Sequence, residues 1–291
     1  MERHLLITVS EQQSALYGIR FVGHFFLDKM DMKLTLFYTA PRPPAVWEGE
    51  RTIDSLTITE QKYEEIEAKG EVSLAEAKKE LVKQGFDPDM INTKLQFRNI
   101  SKVIDIIQEG AKGLYDALVL GRRGLSWLEE AFDESVSKGI LHVKVNFPIW
   151  VCRRPDLKRK DVLVCVDGSD ASYRAVDHVG FILGNKKSHR ITLFTVKKKG
   201  EIGTQSAESI MEKSREKLLK NKIREEMVKN KIVEDGNVAK AINREADQGQ
   251  YAAVAVGRIG TGQGFLKKIF MGSVSDTLFR ELERSSLWIC H

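Results

Sequence analysis

Four segments occur twice in this chain, in the same order, and that confines it to folds built from two like units. Leu5-Leu6-Ile7-Thr8-Val9-Ser10 returns as Val162-Leu163-Val164-Cys165-Val166-Asp167, and Lys33-Leu34-Thr35-Leu36-Phe37 returns as Arg190-Ile191-Thr192-Leu193-Phe194. Ala117-Leu118-Val119-Leu120-Gly121-Arg122-Arg123-Gly124 returns as Ala253-Val254-Ala255-Val256-Gly257-Arg258-Ile259-Gly260. Phe147-Pro148-Ile149-Trp150-Val151-Cys152 returns as Ser285-Ser286-Leu287-Trp288-Ile289-Cys290. The 291 residues therefore read as a duplication, two domains of about 145 residues each. Differences at matched positions then report what each copy is able to do.

Each copy opens with a short β-rich run, continues with an apolar-periodic stretch (15–26; 171–183) and enters a second apolar strand. A long charged helix is expected near Glu60–Gln84 and again near Ser206–Val228, with short strands at Thr93–Phe97 and Lys231–Val233. This βαβ rhythm predicts an α/β fold of two repeated doubly wound domains, each with a mostly five-stranded parallel sheet and helices on both faces (Rossmann-like). Arg153 to Lys160 is polar, contains Pro155 and shows no periodicity. It sets the expected domains at 1–153 and 159–291.

The net charge of +5, on a chain that is 30% charged, is too mild and too dispersed to suggest a nucleic-acid partner. The basic stretch Lys213 to Lys231 is interleaved with Glu216, Glu225 and Glu226 and reads as a solvated helix face. Three cysteines, none in a CxxC pair, give no disulfide framework, and Cys152 and Cys290 fall at matched places in apolar strands. No apolar run reaches the length of a membrane span, and Leu16–Leu27 is interrupted by Arg20 and His24. The expectation is a cytoplasmic protein with no membrane partner.

Ligands of doubly wound sheets bind beyond the carboxyl ends of the strands, where the winding reverses. In the second copy that places Asp167, Val196 and the loop after Val256 together. The loop runs Gly257-Arg258-Ile259-Gly260 through Lys267-Lys268 to Gly272-Ser273-Val274-Ser275. Glycines let the backbone approach a ligand closely, and a helix is expected to start near Ser273, with Val274, Leu278 and Leu282 on one buried face. Free N–H groups at such a start favour an anion, and phosphate is the natural occupant.

This spacing resembles the universal stress protein family, whose nucleotide loop is Gly, two residues, Gly, nine residues, then Gly-Ser. Val166-Asp167-Gly168-Ser169 followed by Asp170-Ala171-Ser172 is similar to that family as well. The resemblance spans the chain as a tandem of two such domains and implies an adenine nucleotide alpha-hydrolase-like fold. It further implies that Asp167 and the backbone near Cys165 and Val196 hold the adenosine part of ATP or AMP. Val256, Gly257, Arg258, Gly260, Gly272, Ser273 and Val274 would hold ribose and phosphates, with Mg carried on the phosphates. The family pairs its last strands across a dimer, so the two lobes are expected to pair with each other, and a further homodimer stays open. One departure stands out: eleven residues, 261–271, separate Gly260 from Gly272.

The first copy keeps Gly121-Arg122-Arg123-Gly124, but nine residues later reads Glu134-Ser135. Glu129-Glu130 replaces Lys267-Lys268, Asp133 matches Met271, and Ser10 matches Asp167. Two like charges at ~4 Å repel by roughly 4 kcal/mol at an effective dielectric of about 20, so this lobe is expected to be a scaffold without nucleotide. Trp150 and Trp288 are expected to pack rather than stack on ligand. No nucleophile elbow, paired carboxylates or metal-ligand spacing is present, so no catalytic residue is assigned. The leading expectation is a stress-response regulator working through nucleotide-linked conformation or partner binding. A nucleotide-independent interaction module and a slow ATPase are its rivals.

Overall fold

The computed structural model describes residues 2–11, 16–44, 52–121, 145, 147–197, 206–257 and 273–290. The first half contains β1 (Arg3–Val9), α1 (Leu16–Phe25), β2 (Met32–Ala40), α2 (Ile53–Lys83), β3 (Ile91–Phe97), α3 (Lys102–Gly110), β4 (Ala117–Gly121) and β5 (Ile149–Cys152). The second contains β6 (Val162–Cys165), α4 (Asp170–Leu183), β7 (Ile191–Lys197), α5 (Ala207–Lys220), β8 (Val228–Glu234), α6 (Val238–Gln248), β9 (Ala253–Gly257), α7 (Ser273–Glu281) and β10 (Ser286–Cys290). These strands form one ten-stranded sheet in the order β3-β2-β1-β4-β5-β10-β9-β6-β7-β8. Each half contributes the same five-strand order, and all neighbours within a half are parallel.

The expected α/β architecture follows from burial on both faces of the sheet. Strands such as β1, β4 and β9 are nearly continuous apolar runs, as strands covered twice must be. Alternation divides their side chains between two cores. Leu5, Ile7, Leu34, Leu36, Val162 and Val164 pack with α1, α2, α4 and α5. Leu6, Phe37, Leu118, Leu163 and Val254 pack on the opposite face with residues of α3, α6 and α7. Serine or asparagine caps the starts of the covering helices: Ser101 for α3, Ser169 for α4, Ser206 for α5 and Asn237 for α6.

The halves meet at β5 and β10, which pair antiparallel with Trp150 opposite Trp288. The two indoles are fully buried and stacked, 3.9 Å apart and 2° from parallel, with Phe21 and Phe25 edge-on to the pair. The Trp150 indole N–H donates to His178 Nε2 at 3.0 Å. Desolvation holds His178 down at about 3, so it is the neutral acceptor this bond requires. At the rim of the junction Arg3 pairs with Asp31 and donates to Gly184 O at 2.7 Å, while Lys186 pairs with Asp31 at 2.6 Å.

A second buried polar cluster occurs in both halves. Glu109 accepts from Lys94 and Tyr115, each at 2.8 Å, and also from Lys112. Its counterpart Glu245 pairs with Lys231 and accepts from Tyr251, whose hydroxyl also reaches Thr192 at 2.9 Å. Glu109 lies in the last turn of α3 and Glu245 in the last turn of α6.

Two expectations about the second half change. The charged helix ends at Lys220, not near Val228, because Lys222 takes a left-handed φ of 64° and turns the chain. The strand expected at Lys231–Val233 is β8, Val228–Glu234, so part of the stretch read as a solvated helix is the polar edge of the sheet. Arg153 and Arg159, in the stretch read as a polar joint, are 3% and 6% exposed. Arg159 donates to Tyr251 O and Ser285 Oγ at 3.5 and 3.3 Å.

Candidate functional site

In the second half the winding reverses between β6 and β9, so their carboxyl ends open a crevice. Asp167 lies just beyond β6. Its Oδ1 accepts from Ser169 N at 3.0 Å and Ser169 Oγ at 2.6 Å, bracing a turn in which Gly168 has φ 83°. That turn delivers Ser169 as the cap of α4, with Ser169 Oγ accepting from Ser172 N at 3.2 Å. Asp167 itself is exposed, and both of its described hydrogen bonds go to Oδ1.

Gly257, the last residue of β9, has a local reason to be glycine. A Cβ there would lie 2.2 Å from Ala171 C and 2.4 Å from both Ala171 O and Ser172 N. The strand end thus presses directly on the first turn of α4. Val256 is buried inside β9. Thr195, which sequence reasoning did not single out, is buried and donates to Val166 O at 2.5 Å, tying the ends of β6 and β7 together.

The floor of the crevice is apolar and half-exposed. Cys165, Val196, Val233, Val238 and Val274 are all partly buried and pack on the same core beneath the carboxyl ends of the strands. They come from β6, β7, β8 and the first turns of α6 and α7. Burial and the nearby carboxylates of Asp167 and Glu245 push the Cys165 thiol far above its ordinary value, so it offers a neutral, soft surface. Val233 and Val238 were missed from the sequence. Their signal was a single valine in a charged edge strand and another directly after the Asn237 cap.

Helix α7 begins with Ser273 and runs back along β9 towards β10, which places its amino end at the same edge of the sheet. Leu278 and Leu282 are buried and Val274 packs beside them, as the spacing of four predicts. Arg258, Gly260 and Gly272, together with Lys267 and Lys268, lie outside the described residues. Glu129, Glu130, Asp133 and Glu134 of the first copy lie outside them too. Among the described residues no group of three or more His, Cys, Asp and Glu could hold a metal ion, and no helix is long and apolar enough to cross a membrane.

In doubly wound sheets the switch point is where ligands bind when they bind. Residues 158–287 match the model of the universal stress protein family. Among solved structures, a universal stress protein from Archaeoglobus fulgidus DSM 4304 aligns over 99% of this chain and 97% of its own, at 18% identity and a TM-score of 0.62. A functionally unknown protein of Pseudomonas aeruginosa PAO1 aligns over 99% of this chain and 92% of its own, at 14% identity and a TM-score of 0.49. A universal stress protein in complex with cAMP aligns over 45% of this chain and 95% of its own, at 22% identity and a TM-score of 0.37. No curated protein sequence matches the chain significantly.

Proposed function

We propose that the chain is a tandem universal stress protein that takes one adenine nucleotide, ATP or AMP, in its second lobe (159–291). The observation that carries this reading is the half-exposed apolar floor of Cys165, Val196, Val233, Val238 and Val274 beside the exposed carboxylate of Asp167. Such a surface suits the flat face of a purine, with a carboxylate in reach of ribose or base donors. The nearby start of α7 and the glycine loop, Gly257 to Gly272, favour the phosphates. The family match of residues 158–287 supports the same reading.

In this reading Asp167, Cys165 and Val196 seat the adenosine part. Val256, Gly257, Arg258, Gly260, Gly272, Ser273 and Val274 seat ribose and phosphates, and Mg rides on the phosphates rather than on protein ligands. The first lobe (1–153) carries no nucleotide and pairs with the second through β5 and β10. The output is regulation in a stress response, by nucleotide-linked conformation or partner binding, with no chemistry required of the chain.

A fluorescent ATP analogue titrated into the whole chain tests the base seat. Asp167→Ala is expected to weaken binding about tenfold or more, the scale of a charged hydrogen bond. Val238→Lys is expected to weaken it as well, by putting charge on the floor. Unchanged affinity in both variants would refute this placement.

A further inference from the structure

Comparing the two crevices at matched registers shows that the first one is rebuilt, not merely degraded. Ala40 in β2 corresponds to Lys197 in β7, because Arg98 N donates to Ala40 O and Asp235 N donates to Lys197 O in the same way. Thr39 therefore stands where the second lobe has Val196, and Arg98 where it has Asp235. The caps Ser101 and Asn237 likewise align, which puts Lys102 where the second lobe has Val238. An apolar and acidic wall has become a polar and cationic one.

The cationic wall also leaves polar atoms unused. Thr39 is 4% exposed, and its Oγ1 has no hydrogen-bond partner. Alternation along β2 sends Leu36, Tyr38 and Ala40 into one core and Phe37 into the other, so Thr39 shares the Phe37 face that α3 covers. At the carboxyl end of β2 that face is the crevice. Arg98 Nε is likewise buried and unpartnered. Lys102 begins α3, where burial and the charge of Arg98 hold its ammonium below the usual lysine value. Two carboxylates are nearby. Glu11 is exposed and accepts from the Tyr38 hydroxyl at 2.8 Å, and buried Asp105 accepts from Asn99 N at 2.8 Å and Ile100 N at 3.4 Å. Arg42 is engaged with Asn99 at 2.9 Å.

We propose that the first-lobe crevice binds a small oxyanion, phosphate or carboxylate in class, on Thr39, Arg98 and Lys102 at the start of α3. The hydroxyl and the guanidinium edge supply donors that nothing else among the described residues uses, and the helix start adds favourable partial charge. The site is independent of the nucleotide reading for the second lobe. It gives the tandem chain two crevices of opposite chemistry on one continuous sheet.

Inorganic phosphate is the probe. Melting temperature of the whole chain is followed against phosphate concentration, with potassium chloride at equal ionic strength as reference. Phosphate excluded from surfaces stabilises all variants alike, in proportion to its concentration, whereas a bound ion gives a rise that bends to a logarithmic dependence above its Kd. Gly272→Glu, which removes the second-lobe loop as a phosphate binder, is expected to keep such a logarithmic rise, and the first-lobe variants are compared in that background. Arg98→Met is expected to lose at least about tenfold in apparent phosphate affinity, the scale of a charged hydrogen bond. Thr39→Val, which installs the residue of the second lobe and keeps the fold, is expected to weaken it by a smaller factor. No logarithmic rise in Gly272→Glu, or the same rise when Arg98→Met and Thr39→Val are each added to it, would overturn the proposal.

Discussion

Replacing Gly257 by alanine tests the close packing of β9 on the start of α4. The added methyl falls 2.2 Å from Ala171 C and 2.4 Å from Ser172 N, both backbone atoms of the first turn of α4. No side chain can rotate away to relieve that contact, so either β9 or the capped start of α4 has to shift. Overpacking of this kind costs about 1–3 kcal/mol. At about 2–4 °C per kcal/mol for a domain of this size, the melting temperature drops by roughly 2–12 °C. Gly236→Ala is the control, because a Cβ there meets nothing within 4 Å, and a surface change of that sort stays within about 0.5 kcal/mol. Differential scanning calorimetry on the three proteins reads the effect directly, and with the proposed nucleotide seat ATP affinity is expected to fall as well, because Ser169 at the start of α4 braces Asp167. A Gly257→Ala protein that melts together with Gly236→Ala would refute the close-approach argument.

Two further predictions concern protonation. Burial alone would raise the Glu109 carboxyl, but its bonds from Lys112, Lys94 and Tyr115 outweigh that and hold it below 4.5. A depressed carboxyl stabilises the fold above its unfolded value and loses that contribution as pH falls through the folded one. Chemical denaturation of Glu109→Gln should therefore show a deficit of about 1.5–3 kcal/mol at pH 7 that closes below about pH 4.5; a deficit constant with pH would contradict the pairing. His178 runs the other way in chemistry but not in sign. It is a base held neutral at about 3 against 6.5 in the unfolded chain, so the unfolded state takes up the proton first and stability falls as pH drops below about 6.5. His178→Gln keeps an acceptor for Trp150 and should flatten that slope between pH 6.5 and 3, and an unaltered slope would place the titration elsewhere.

Much of the fold was legible because the strands are buried on both faces. Val162-Leu163-Val164 or Ala253-Val254-Ala255-Val256 leaves no polar residue that could face water, and the duplication repeated the pattern. The edge strand β8 was harder, since Lys229, Asn230 and Lys231 look alike on an edge strand and on a solvated helix. Only the left-handed turn at Lys222 separates it from α5. Arg159 looked like linker because the groups that receive it, Tyr251 and Ser285, are 92 and 126 residues away. The crevice was half-legible. Asp167 and Gly257 announce themselves through a turn motif and a strand end. Val233 and Val238 do not, because their value to a ligand comes from lying beside Cys165 and Val196, a tertiary fact. The inversion at Thr39, Arg98 and Lys102 emerges only once the hydrogen bonds of β2–β3 and β7–β8 fix the alignment across loops of unequal length.

The proposed asymmetry of the lobes amounts to one adenine nucleotide per chain, in the second. Titration calorimetry of ATP into the intact chain, with Gly272→Glu alongside, measures it. One site per chain, absent in Gly272→Glu, is the expected result. Two sites, no binding, or a single site indifferent to that substitution would contradict it.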